Sequence, residues 1–100
     1  MSLIVAGTYR VPPENLAGIR PHMATVIAAT RAEAGCLAYA FSEDVVEPGL
    51  IHVFERWIDQ AALDTHFNSA HMKAWVEARA GCGLYDREIS VYGVTGERKV

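Results

Sequence analysis

The stretch that most limits the fold of this chain is Leu50 to Trp57, LIHVFERW. Its β-branched and aromatic content predicts a strand. Ile51, Val53, Glu55 and Trp57 fall on one face, and His52, Phe54 and Arg56 on the other. Neither face is plainly polar. A sheet with one wet face alternates cleanly, whereas a sheet covered on both faces need not. Both sides of this strand must therefore be covered. The chain has only 100 residues, of which 51% are hydrophobic. A body that small removes only about two-thirds of its unfolded surface from water. A second subunit laid over one sheet face accounts for both observations.

The elements around this strand fix the topology. Leu3 to Val11 reads as a strand stopped by Pro12 and Pro13, which suit a helix start. Leu16, Ile19, Met23, Val26 and Ile27 then form one helical stripe. Pro21 lies inside that run, so a kink or a delayed helix start is expected there. Gly35 suits the residue after the helix end. Leu37 to Asp44 is a second strand, with Leu37, Tyr39 and Phe41 on one face. Glu47-Pro48-Gly49 predicts a type II turn into the strand at 50–57. Asp59 can cap a short helix through Phe67, and Asn68 or Ser69 a second one to about Ala80. Leu84 to about Val94 is the last strand. The order strand, helix, strand, strand, helix pair, strand is the ferredoxin-like βαββαβ arrangement. It gives an α+β fold in one domain, residues 1–100. The first and third strands are central in its antiparallel sheet, and the helices lie on one face. The bare face implies a homodimer in which two sheets close an α+β barrel.

Charge and composition exclude several classes. The net charge is −3 and no Lys/Arg cluster exists, so nucleic acid and anionic membrane surfaces are not expected partners. Neither a signal peptide nor a membrane span is legible, which predicts a soluble, cytoplasmic protein. Cys36 and Cys82 begin strands at opposite sheet edges, roughly 14 Å apart at ~4.8 Å per strand, so free thiols are expected.

Residues 52–75 hold three of the four histidines and both tryptophans. His66 and His71 flank the break between the two short helices, and His71 shares a helical face with Trp75. Two imidazoles and an indole at such a junction suggest a pocket wall. A metal site is not expected: His66 and His71 lack the i, i+4 spacing, no Cys-x-x-Cys occurs, and no carboxylate is fixed beside both.

With these residues in view, the chain resembles the antibiotic biosynthesis monooxygenase family of dimeric α+β barrels. The resemblance rests on VAGTYRV at the first strand, Glu33-Ala34-Gly35-Cys36 and LAYAFSED. It rests most on the block Phe54-Glu55-Arg56-Trp57, Asp59, Ala61-Ala62-Leu63, His66, Ser69 and His71. It implies a pocket between helices and sheet in which a quinol or similar phenolic aromatic reacts with molecular oxygen, with no cofactor. The haem-degrading branch carries an asparagine in its first strand and a tryptophan three residues before the junction serine. This chain has neither, since His66 stands three before Ser69.

Such chemistry needs a base, because a deprotonated, electron-rich ring can hand an electron to oxygen directly. His66 or His71 is the expected base, with an ordinary pKa of ~6.5, and Tyr9 a hydrogen-bond partner. Tyr39, Phe41, Trp57 and Trp75 would stack on the substrate and exclude water. Arg56 would hold developing negative charge. Two other functions fit the same frame. One is a non-catalytic small-molecule-binding or stress-response dimer; the other is an isomerase or lyase using the same histidine.

Overall fold

In the computed structural model, which describes residues 1–100, β3 (Leu50–Trp57) pairs on both sides. It lies between β2 (Cys36–Glu43) and β1 (Ser2–Arg10), and β1 in turn pairs with β4 (Tyr85–Val94). The sheet order is β2-β3-β1-β4 and every pairing is antiparallel. Three helices, α1 (Leu16–Arg31), α2 (Gln60–Phe67) and α3 (Ala70–Ala80), complete the chain, with a short 3-10 turn at Pro13–Asn15. This is the ferredoxin-like α+β fold. No helix is long and apolar enough to cross a membrane.

Local chemistry explains the boundaries. Asp59 caps α2 by accepting from the Ala62 N–H at 2.9 Å, and Ser69 caps α3 by accepting from Met72 N–H at 3.2 Å. Gly49 takes φ +87°, and Leu50 N–H donates to Glu47 O, as a type II turn requires. The Asp44 carboxylate accepts from Val46 and Glu47 N–H and braces the same corner. In α1 the stripe Leu16, Ile19, Met23 and Val26 is buried as expected.

Three local expectations are corrected. Helix α1 does not wait for Pro21; it starts at Leu16 and runs through it, because Pro21 lies on the exposed side. Gly35 does not end α1, whose cap is Ala32. A Cβ at Gly35 would collide with the Cβ of Ala62, so this glycine lets α2 approach the α1–β2 connection. Leu37 leaves the face of Tyr39 and Phe41, because the β2–β3 register shifts between Cys36 and Ala38 and turns it outward at 53% exposure.

The core lies between sheet and helices. One cluster joins Tyr9, Val11, Ile51 and Val53 of the sheet side to Leu16, Ile19, Met23, Val26 and Trp75. The other gathers Leu3, Val5, Tyr39, Trp57 and Leu63. Cys36 and Cys82 are free thiols, with Cys82 buried in the first cluster. On the opposite sheet face, Ala40, Phe54 and Ala6 stand in one cross-strand row. Ala38, Arg56, Ile4 and Tyr92 stand in the next.

Candidate active site

Strand alternation sends Tyr9 of β1, Tyr39 and Phe41 of β2, and Val53 and Glu55 of β3 toward the helices. Helix α3 brings Met72, Trp75 and Arg79 down onto them, and β4 adds Arg87 and Ile89. Together these side chains enclose a cavity of about 20 Å³, room for one water-sized molecule. The rings interlock around it. Tyr9 meets Phe41 edge-on at 6.0 Å, and Phe41 meets both Tyr39 (5.2 Å) and Trp75 (5.5 Å) between centroids.

Glu55 is the acid of this cavity. It is 7% exposed and accepts from Trp57 Nε1–H at 3.0 Å. Burial outweighs that bond and the nearby Arg87 charge, and raises its pKa from 4.5 to about 7. Burial also pushes both Tyr9 and Tyr39 well above the ordinary phenol range. Their hydroxyls are therefore donors at neutral pH, and that of Tyr9 donates to Met23 Sδ at 3.2 Å.

One layer behind the rings lies a second polar cluster. His66 Nδ1 is 2.7 Å and His71 Nε2 2.9 Å from the same oxygen, Oε2 of Glu33. A carboxylate only accepts, so both imidazoles donate to it. His66 is fully buried, with its ring 4.8 Å from that of Trp57 and 5.4 Å from that of Tyr39. Burial lowers its pKa against the opposing pull of Glu33, so it is neutral, with Nδ1 protonated and Nε2 a bare, unpartnered acceptor. Ser69 ties the cluster to the helix break, since its hydroxyl donates to His66 O at 2.6 Å.

Several expected site residues meet and others do not. Tyr9, Tyr39, Phe41 and Trp75 line the cavity. Trp57 lies behind it, donating to Glu55 and packed at a tilt against His66. Neither His66 nor His71 reaches the cavity wall. Arg56 is corrected outright: alternation puts it on the opposite sheet face, where its Nη2 is 3.1 Å from Glu97. The statement that no carboxylate stands beside both histidines is corrected too, because Glu33 does. These three residues bring ligand atoms within 4.8 Å of one another. They fit a metal poorly: ligation through Nδ1 would leave the Nε2–H of His66 buried with no acceptor, whereas metal-bound imidazoles ordinarily have one.

Glu33, Arg79 and Arg87 escaped the sequence reading. Glu33 is 33 positions from His66 and sits in an α1–β2 connection that showed only an end of helix. Arg79 had a detectable signal, since it lies four residues beyond Trp75 on the same helical face.

Known proteins place this geometry. The description "Antibiotic biosynthesis monooxygenase" belongs to a family profile that matches residues 2–78. An uncharacterised protein of Synechocystis sp., sll1783, is 33% identical over 92 residues, covering 92% of this chain and 63% of that protein. The chain thus spans less than two-thirds of that relative. Among solved structures, a Deinococcus radiodurans protein provisionally named for the same family superposes with a TM-score of 0.89 at 27% identity, over 100% of this chain and 98% of that one. Rv0793 of Mycobacterium tuberculosis gives 0.79 at 28%, over 99% and 100%. A conserved protein of Methanosarcina mazei Go1 gives 0.83 at 26%, over 92% and 91%. With the profile running from β1 into α3, across the strand that carries Glu55 and the helix break that carries His66 and His71, this chain belongs to the antibiotic biosynthesis monooxygenase family.

Proposed function

We propose that the protein is a cofactor-independent monooxygenase that oxidises a phenolic or quinol-type aromatic with molecular oxygen. The observation that supports it most is a ring-lined cavity whose acid, Glu55, is buried and half-ionised near neutral pH. A phenol releases its proton to Glu55, and the resulting ring anion donates an electron to oxygen. For a 1-naphthol the balance is closed: naphthol and O2 give naphthoquinone and water. One oxygen atom enters the ring carbon para to the hydroxyl and the other leaves as water. The substrate supplies all four electrons, and its para C–H and O–H hydrogens end in the water. The packed rings of Phe41 and Trp75 keep the radical pair from bulk water. The cavity must widen to admit a ring, and Met72, the flexible member of its wall, is the side chain that can yield.

A second assignment of the base keeps it on His66. Glu33 holds its Nδ1, its Nε2 is buried without a partner, and its ring lies against those of Tyr39 and Trp57, one layer behind the cavity. This is the carboxylate–imidazole arrangement of a general base, once the cavity widens to reach it. Purified protein under air, with a naphthol panel or reduced menadione, tests both. The reading requires oxygen uptake above autoxidation. Loss in Glu55→Gln with retention in His66→Gln places the base on Glu55, and the reverse places it on His66. Saturable binding with no uptake in any variant sinks the oxygenase reading and favours a binding protein. Proton exchange without uptake favours an isomerase or lyase.

The functional unit of this proposal is a homodimer. The rows of Ala40, Phe54, Ala6 and Ser90 and of Ala38, Arg56, Ile4 and Tyr92 present a largely apolar sheet face interrupted by Arg56, with Phe54 43% and Tyr92 55% exposed. A second copy meeting the same rows would close the barrel.

A further inference from the structure

The cavity holds two cations. Arg10, Arg20 and Arg56 each have a carboxylate oxygen within 3.4 Å, and Arg31 donates to the backbone O of Tyr39. Arg79 and Arg87 both line the cavity, and neither has a carboxylate within ion-pair distance. They are close enough that Arg87, after burial itself, pushes the Arg79 guanidinium below its ordinary range. Two guanidiniums facing one lining carboxyl leave an excess of positive charge, the more so when Glu55 is protonated. Opposite Tyr9 of β1, the strand β4 places two residues, Asp86 and Arg87, and the register shifts. Asp86 takes φ +49°, a left-handed conformation uncommon outside glycine. Alternation from Ile89, two residues on and also in the wall, puts Arg87 on the cavity side of β4 just before that shift.

We infer that the ligand of this cavity is an aromatic anion, a hydroxy-aromatic ring bearing a carboxylate, held by Arg79 and Arg87 with its ring among Tyr39, Phe41 and Trp75. The inference rests on the reading of this cavity as the substrate site and names its substrate class. Arg79 and Arg87 stand on different elements, α3 and β4, so a carboxylate bridging them would tie the helix to the sheet across the cavity. A planar guanidinium pairs with a carboxylate through two parallel N–H bonds. A ring-lined wall beside it discriminates the aromatic from an aliphatic acid.

The test is a binding titration under anaerobic conditions, read by tryptophan fluorescence, with 1-hydroxy-2-naphthoate against 1-naphthol. The carboxylate is expected to bind at least about tenfold tighter, as one charged, bidentate contact provides. Arg87→Gln, on an exposed stretch of β4, should reduce the preference to under about threefold by weakening 1-hydroxy-2-naphthoate far more than 1-naphthol. Arg79→Gln should do the same, and Lys73→Gln, exposed on α3, should do nothing. Equal affinities, no binding of either, or a preference that survives both arginine substitutions would overturn the inference. Because no oxygen is present, its failure is separable from that of the oxygenase reading. A carboxylate preference without oxygen uptake in air refutes turnover alone, and uptake of 1-naphthol without the preference refutes the anion site alone.

Discussion

At the residue scale the decisive side chain is Glu55, because burial changes both what it does and what it costs. As a base it must be ionised, so oxygen uptake should rise with pH through about 7 and level off above. A rate profile in Glu55→Gln should lose that limb along with ~10²–10⁴ of the rate. The same group sets a stability slope of definite sign. Its folded pKa is raised above the unfolded value, so the native state holds the extra proton between 4.5 and about 7. The contribution of Glu55 to stability is therefore greatest below 4.5 and falls as pH rises through that window, by something like 3 kcal/mol on the ~1.4 kcal/mol per unit of linkage. Chemical denaturation at pH 5 and pH 8 should show wild type weakening relative to Glu55→Gln; a parallel response would contradict the buried carboxyl. Glu33 gives a second check. Glu33→Gln leaves two imidazole N–H groups sharing a neutral acceptor and should cost about 1–3 kcal/mol in a melt. None of this was legible from the chain alone. Glu55 sits beside Arg56 in the chain, yet alternation sends the two to opposite faces and only Glu55 reaches the cavity. Glu33 reaches His66 and His71 only through a tertiary approach.

At the scale of elements the chain announces itself far better, and the reasons are local. Asp59 and Ser69 are the helix caps that their residue types predicted, and Pro48-Gly49 makes the turn its chemistry demands. What local pattern could not show was close approach and register. The role of Gly35 depends on Ala62, far along the chain. The irregularities in β2 and β4 leave only Leu37 exposed and Asp86 left-handed as traces. Ser69→Ala should cost about 1 kcal/mol as a lost cap. It should also loosen the cluster, because the hydroxyl bonds His66 O. Faster amide exchange in α3 and at the 66–71 break would show it. Gly35→Ala should cost more, about 1–3 kcal/mol by overpacking, unless α2 shifts away, which the same exchange experiment would register over 60–67.

At the scale of the molecule the pattern of β3, with neither face plainly polar, bears on assembly, since helices lie over one face and leave Phe54 and Tyr92 half exposed on the other. If a second copy covers them, light scattering should give twice the chain mass. Phe54→Asp should then yield a folded monomer, because it puts a charge in the middle of the row. A wild-type monomer would remove the barrel from the account. The chemistry of the cavity stands apart from that question and has its own direct measurement. In an oxygen electrode at pH 8, naphthol or reduced menadione with wild-type protein should consume oxygen faster than the buffer control, in proportion to protein. Glu55→Gln at the same concentration should fall at least about a hundredfold toward that control. Equal rates for the two proteins would take the base away from Glu55, and a wild-type rate no greater than autoxidation would contradict the oxygenase itself.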